Sequence, residues 1–531
     1  METTQGKIVN SFIIVAGLAL LSNSLGYVRD AVLASSFGAS AITDSFFTAY
    51  FVPNTLYLIL ISGSISQAFL PIFVDYLSIG RQKAWEIASI IFSFAFIILA
   101  FVVLLGVATS NYWMPILTPG FNQKYLDLSV KLSYILFPMV LFIGLSNLSS
   151  SILNSFNKFS IPSLAPVISN IIVIIGIALA SVKGSIEMVA VATLLGIIAQ
   201  LIIQLPSLRN LGFRFRFKFD FNHPALKKLI ILTVPIIGYL CIAYMSVVIE
   251  RRIASTFTEG SISSINYAMR LFSLPPILFA SSLGTVIYPR LSSLVSGKKE
   301  LEYQSSLLKS LNVTFLVLTP ISIWMIFNSE AIVSLLFGFG RFSVSEVKMT
   351  AMILSAYSIG MMPFGLTSIM QRGLYSKKNT RIPFFIESIN LIFYILVASF
   401  LSSLIGLFGL ALSRALSFII VAIMTFMFSV SLKNHRKSFI TWVLQGLFFS
   451  MILALIASLP FWFTSVIFGN LASQIFIFFQ IIISLFFGIL AYLVLIRIRI
   501  FNDFGILIPI FMPIIRNLIN AFQNNKSFLD R

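Results

Sequence analysis

Residues 23–75 read NSLGYVRDAVLASSFGASAITDSFFTAYFVPNTLYLILISGSISQAFLPIFVD. Two apolar runs flank a short polar link at 38–43. Arg29, Asp30 and Asp44 stand at or inside those runs. A charge near the bilayer centre costs roughly 3 kcal/mol on insertion scales. A hairpin that keeps all of them uses them, either on each other or on a ligand. Pro53 lies inside the second run, where it breaks or bends a helix at membrane depth. Backbone freed there is tolerated only against protein or a watery cavity. Charges, a proline break and the small residues Gly63, Ser64 and Ser66 together point to a polar cavity inside a membrane bundle.

The motifs GYVRDAVLASSFG, TDSFF, FVPN and SGSISQAFLPIF, in that order, resemble the opening of the MurJ/MviN family. That family comprises lipid II flippases within the superfamily of multidrug, oligosaccharidyl-lipid and polysaccharide exporters. The resemblance extends to about the end of the twelfth expected helix.

Composition sets the same frame independently. Of 531 residues, 58% are hydrophobic and 10% charged, against about 25% charged in a soluble domain. The repeated long apolar runs define an all-α polytopic membrane protein. The lone Cys241 excludes an internal disulfide and a cysteine-based metal site. His223 and His435 lie in basic loops without a ligand partner at metal spacing. The net charge of +19 comes from basic residues gathered in alternate loops, which meet anionic lipid headgroups, and no nucleic-acid module accompanies them. The start, METTQGKIVN, reads as the head of an uncleaved first membrane helix rather than a signal peptide.

At about 20 apolar residues per span, fourteen helices are expected. They centre on 9–37, 45–76, 85–107, 128–154, 164–182, 188–205, 229–248, 262–291, 307–327, 347–375, 383–401, 405–430, 440–466 and 471–496. The loops after even-numbered helices are basic, for example Arg209, Arg214, Arg216 and Lys218 after the sixth. The odd-numbered loops are poor in Lys and Arg. The positive-inside rule then puts both termini in the cytoplasm, and the resemblance implies a bacterial inner-membrane protein. The tail at 504–522, with Pro509 and Pro513, is expected along the membrane surface. Residues 210–223, NLGFRFRFKFDFNH, alternate Phe with basic side chains. A β-hairpin arm, a surface-lying segment and a nucleic-acid contact stay open. The simplest reading is a basic cytoplasmic connector whose phenylalanines touch headgroups.

An internal repeat is visible. LNSFNKFSIP at 153–162 matches LYSKKNTRIP at 374–383, ASSFG at Ala34 matches ASTFTEG at Ala254, and Pro53 matches Pro275. A separation of about 220 residues marks a duplicated unit. The expected organisation is an N-terminal lobe (1–208), a basic connector (209–228), a C-terminal lobe (229–432), two extra helices (433–498) and an amphipathic tail (499–531). Two six-helix lobes share one orientation, so a pseudo-two-fold axis along the membrane normal places a cavity between them.

Each charge also has a plainer reading. Arg29 and Asp30 are adjacent, so on a helix they point about 100° apart and are not expected to face one partner. Arg29 at a helix surface can snorkel. Asp44 suits a helix N-cap. Glu250, Arg251 and Arg252 can pair among themselves. Arg270 lies inside the eighth expected helix, just before Pro275 and Pro276, where a structural ion pair competes with a cavity-facing anion ligand. Moving a lipid-linked sugar means carrying a pyrophosphate through an apolar slab, and arginine grips phosphate oxygens in a bidentate fork. The resemblance implies the same role, since Arg29 and Arg270 match cavity arginines of MurJ-like proteins. With Asp30, Asp44 and Arg252 they form the expected substrate-binding set.

The resemblance also implies departures. Asn23 and Tyr57 stand where family members often carry basic residues, and Ser62 where they carry an acid. This leaves room for another lipid-linked polysaccharide precursor. Glu250 and Asn390 resemble ligands of a family sodium site, whereas Tyr394 falls where a carboxylate is expected. Sodium or proton coupling is the implied energy source, and no cofactor or metal is expected. No GxxxxGKS/T loop and no nucleophile–base constellation is present, so neither direct ATP use nor enzymatic catalysis is expected. The leading expectation is a flippase for a polyprenyl-pyrophosphate cell-wall precursor. Its partners are that lipid-linked glycan, membrane lipids and the cell-wall synthesis machinery. A drug or cation exporter is the rival, and two cavity arginines oppose it.

Overall fold

The computed structural model describes residues 4–60, 66–220 and 222–429. In chain order the helices are α1 (Thr4–Phe37), α2 (Ala41–Tyr57), α3 (Ser66–Ile79), α4 (Arg81–Ala108), α5 (Ser110–Leu117), α6 (Gln123–Leu136) and α7 (Met139–Ser155). Next come α8 (Ser160–Lys183), α9 (Ile186–Ile202), α10 (Leu205–Asn210), α11 (Pro224–Ala254) and α12 (Ser261–Pro276). The last are α13 (Ser282–Ser296), α14 (Glu300–Phe327), α15 (Ser329–Phe337), α16 (Val344–Ile359), α17 (Met361–Ser376) and α18 (Arg381–Ser429). No strand occurs among the described residues. An all-helical chain follows from the solvent, because in lipid every backbone polar group must be satisfied within its own segment.

Among the described residues, eight helical segments are long and apolar enough to cross a membrane, or nine with the pair α16 and α17, bent by 45°. This is a multi-pass membrane protein. The helices expected at 440–466 and 471–496, the tail and Ser62 lie outside the described residues.

The breaks have local causes. Pro53 does not end α2, which runs on to Tyr57 before one π-type turn at 58–60. A proline lacks only its own N–H, and one missing bond is absorbed where the neighbouring turns stay packed. The Pro275–Pro276 pair is followed by a π-helical turn, Ile277–Ser281. Residues 381–429 form two helices across a non-helical step at Ile405 and Gly406 (φ 61°), matching the two spans expected there.

The repeat is visible in backbone detail. Asn157 (φ 57°) and Lys378 (φ 58°), at equivalent positions, both take the left-handed conformation. In each copy the following amide closes the helix end, Lys158 N–H on the Leu153 carbonyl at 2.9 Å and Asn379 N–H on the Leu374 carbonyl at 3.0 Å. These are Schellman-type stops.

Two compact units emerge from the packing, interleaved along the chain. The first comprises Met1–Arg270, Leu336–Ile353 and Glu387–Ser413. One of its cores joins α1, α2, α6, α7, α8 and α9 through Leu33, Phe46, Leu132, Met139, Ile177 and Val189. Small residues bring α8 and α9 together, since a Cβ on Gly176 would meet the Ala192 methyl. The segment 213–220 forms neither helix nor strand. Phe213 is buried against Trp85 and Phe92, Phe217 meets Phe96, and the Lys218 amide donates to Ser93 Oγ at 3.0 Å. It is a connector seated on α4, with Lys218 paired to Glu86. His223 caps α11 by accepting the Ala225 amide at Nδ1, 3.1 Å.

The second unit comprises Leu271–Leu335, Leu354–Ile386 and Arg414–Arg531. Its core joins α13, α14 and α17 through Leu291, Tyr303, Leu307, Ile369 and Met370. Phe272 stacks on Phe418 at 5.5 Å. Arg372 of α17 reaches back to the π-helical turn, with Nη2 donating to the Ser281 carbonyl at 3.4 Å.

Candidate functional site

The centre of the site is Asp30, buried at the end of the GYVRD stretch of α1. Arg29 donates to its Oδ1 from Nε at 3.0 Å and from Nη2 at 2.8 Å. Arg270 of α12 places Nε 3.1 Å from Oδ2. One carboxylate therefore holds two guanidiniums, one on each oxygen. This corrects the expectation that Arg29 and Asp30 diverge. The 100° separation applies where the side chains leave the helix, and the long arginine stem folds back across it.

Both arginines are supported by residues the sequence reading did not single out. Arg29 Nη1 donates to Asn170 Oδ1 at 3.4 Å, and Asn170 Nδ2 donates to the Ser22 carbonyl at 3.1 Å, tying α8 to α1. An asparagine inside the apolar run SNIIVIIG was the available signal. The Arg270 guanidinium lies over the Tyr27 ring at 4.5 Å, and the Tyr27 hydroxyl donates to the Arg270 carbonyl at 3.2 Å. A Cβ on Gly26 would overlap the Arg270 guanidinium, so the glycine makes the room. Both arginine side chains are a third exposed, against 11% for Asp30. Each thus keeps donors turned away from the carboxylate. The formal charge of the cluster is one positive. A cavity of about 40 Å³ adjoins Arg29, Asp30 and Tyr50.

Asp44 does a different job. Its own helix is capped by Ser40, whose Oγ accepts the Thr43 amide at 3.4 Å. Asp44 instead accepts the Gly260 amide at 2.7 Å and the Ser263 amide at 2.6 Å, together with the Ser263 hydroxyl. The carboxylate on α2 caps the first turn of α12, where amides lack partners and the helix dipole favours an anion. Gly260 has φ +86°, and a Cβ there would strike the Ala39 carbonyl.

The remaining candidates separate. Arg252 Nη1 donates to the Ile116 carbonyl at the end of α5, and no bond joins it to the Asp30 cluster. Arg251 is buried, donating to the Phe47 carbonyl at 3.2 Å and Asn266 Oδ1 at 2.9 Å, with its guanidinium 4.3 Å from the Phe51 ring. Arg251 and Arg252 thus reach different neighbours, as successive helix positions do. Glu250 is buried, and Asn390 Nδ2 stands 3.4 Å from Glu387 Oε2. Tyr57 receives the Asn147 amide at 2.9 Å. Among the described residues no group of three or more His, Cys, Asp or Glu is placed to hold a metal ion.

Comparison with known proteins gives a consistent picture. The family model described as lipid II flippase MurJ matches residues 33–484. The lipid II flippase MurJ of Burkholderia cenocepacia is 30% identical over 424 residues, 77% of this chain and 81% of that protein. The probable lipid II flippase MurJ of Buchnera aphidicola subsp. Schizaphis graminum is 34% identical over 416 residues, with the same coverage of 77% and 81%. A solved lipid II flippase MurJ in an inward closed conformation superposes with a TM-score of 0.78 at 26% identity, covering 92% of this chain and 99% of that one. An inward-facing multidrug resistance MATE family transporter shares the fold at a TM-score of 0.63 and 13% identity, covering 82% of this chain and 99% of that one. The chain belongs to the MurJ family of lipid II flippases.

Proposed function

We propose that this protein moves a polyprenyl-pyrophosphate-linked peptidoglycan precursor, lipid II, from the inner to the outer leaflet of the bacterial plasma membrane by alternating access. The observation that carries the reading is Asp30 shared by Arg29 and Arg270. A diphosphate offers oxygens of the same geometry and greater charge than that single carboxylate. It would take over the two guanidiniums, each through a bidentate fork. The membership of the family and the similarity to a solved flippase support the substrate class. Both termini and the connector at 213–220 face the cytoplasm in this reading, and an ion gradient or the membrane potential drives transport.

The deciding experiment is rescue of cells depleted of their own lipid II flippase. Expression of this chain should restore growth and surface exposure of the lipid-linked precursor. A well-expressed protein that inserts but restores neither would overturn the assignment. In proteoliposomes, flipping should stop when ionophores collapse the gradients and should not need ATP.

A further inference from the structure

A second polar site lies in the other unit. Helices α13 and α14 run antiparallel through a short turn at 297–299 and enclose a groove of about 350 Å³. Arg290 lines it from α13 and Lys309 from α14. At 1.5 Å per residue, Arg290 stands about 9 Å and Lys309 about 14 Å above the turn. Leu283 and Val313, on the same two faces, stand about 20 Å above it, with Ile287 between. The two cations lie below the apolar pair Leu283 and Val313, with Ile287 level with Lys309 and Leu301 at the base.

The charge is not matched from within the protein. Glu302 lines the base, but it pairs with Lys299 at 3.0 Å. No ion pair of Arg290 or Lys309 is found among the described residues. Both side chains are exposed. The turn at 297–299 is on the side that the basic loops assign to the cytoplasm. Helix α14, with 28 residues, is about 42 Å long, some 12 Å more than the hydrocarbon core. Measured back from Phe327, the inner hydrocarbon boundary falls near Lys309. The two cations therefore sit at phosphate depth, and the apolar walls at acyl-chain depth.

We infer that this groove binds an anionic diacyl glycerophospholipid of the inner leaflet. Its phosphate would lie between Arg290 and Lys309, and one acyl chain would run along Leu283, Ile287 and Val313. Charge complementarity selects the anionic headgroup, since paired cations without a carboxylate gain most from a phosphate. The site is independent of the proposed cargo site and survives if that reading fails.

The test uses the purified full-length protein and native mass spectrometry, with phosphatidylglycerol or zwitterionic phosphatidylcholine added. The wild type should retain one phosphatidylglycerol more tightly than phosphatidylcholine. The double variant Arg290→Gln, Lys309→Gln should weaken that first phosphatidylglycerol about tenfold with an unchanged melting temperature. Val286→Trp, at an exposed position on the groove wall, leaves both charges in place and should weaken it similarly. Unchanged phosphatidylglycerol affinity in both variants would overturn the proposal. So would equal retention of phosphatidylcholine, or displacement by millimolar inorganic phosphate, which marks a free-anion site. Displacement by an equimolar polyprenyl diphosphate would also overturn it and reassign the groove to the cargo.

Discussion

Asp44 on α2 accepts the backbone amide of Ser263 at 2.6 Å, so a residue near the start of the chain forms the cap of a helix 219 positions later. The same carboxylate takes the Gly260 amide, and two otherwise orphaned donors of α12 are satisfied from outside that helix. Because Arg270 follows on α12, this cap fixes the start of the helix that carries one of the two arginines paired with Asp30.

Asp44→Ala should therefore lower the melting temperature. A lost N-cap is worth about 0.5–2 kcal/mol. Asp44→Asn, which keeps one acceptor oxygen, should fall between that variant and the wild type. Differential scanning fluorimetry of the purified variants checks the order. An Asp44→Ala protein with wild-type melting would show that the cap contributes nothing.

Two glycine substitutions separate space from conformation. Gly260→Ala meets both a positive φ and the Ala39 carbonyl, so it should destabilise by more than about 1 kcal/mol. Gly17→Ala, in the middle of α1 with nothing within 4 Å of the new methyl, should be neutral or slightly stabilising. Comparable losses in the two variants would contradict this account of Gly260.

Arg270→Ala should abolish rescue while the protein still accumulates in the membrane. Loss of one charge-assisted contact weakens lipid binding by roughly 1.5–3 kcal/mol, about ten- to a hundred-fold. Arg270→Lys keeps the charge but loses the fork, and should recover only part of the activity. Arg29→Ala should resemble Arg270→Ala, and the double variant should be less than additive, since both serve one ligand. Full activity in a well-expressed Arg270→Ala protein is the outcome that removes this residue from the cargo site.

Asp30→Asn removes the anion that the two guanidiniums share. Destabilisation on the order of 1–3 kcal/mol is expected, discounted from the ~3–5 kcal/mol of fully buried pairs because both arginines are partly exposed. Binding of a soluble diphosphate by that variant should tighten at low salt, because its competitor is gone. Weaker diphosphate binding at an unchanged fold would mean that Asp30 assists the ligand directly.

Topology is checked by cysteine labelling in a Cys241→Ala background. Lys124→Cys should react with an impermeant maleimide in intact cells, and Arg216→Cys only after permeabilisation, as the basic-loop pattern requires. Strong labelling at 216 from outside would invert the assignment.

Much of this molecule was legible in its sequence. Apolar run length located the described spans because lipid leaves the backbone few choices, and the duplicated LNSFNKFSIP and LYSKKNTRIP segments fold into the same left-handed stop. The charges Arg29, Asp30, Asp44 and Arg270 all proved to be engaged in polar contacts. Their partners were harder to read. Periodicity gives the direction of a Cβ, which failed for Arg29, whose guanidinium ends far from its origin, and it does not name Asn266 and Ile116, on other helices, which Arg251 and Arg252 reach. Gly26, Tyr27 and Asn170 escaped notice because a glycine, a tyrosine and an asparagine carry no formal charge. Their importance lies in a neighbour from another helix, and spacing along one chain does not encode that.

The two arginines that share Asp30 also bear on the half of the cycle in which nothing is carried. A carrier that has released its cargo must reset, and two bare guanidiniums facing each other in a low-dielectric slab would make that reset slow. In the proposed cycle Asp30 would stand in for the departed phosphate, and the unloaded protein would cross back with one excess positive charge instead of two. That remaining charge would make the proposed return step sensitive to the transmembrane voltage, at about 2.3 kcal/mol per 100 mV for a full crossing. A cytoplasm-negative potential would pull the empty arginine pair inward, towards the leaflet where the next cargo waits.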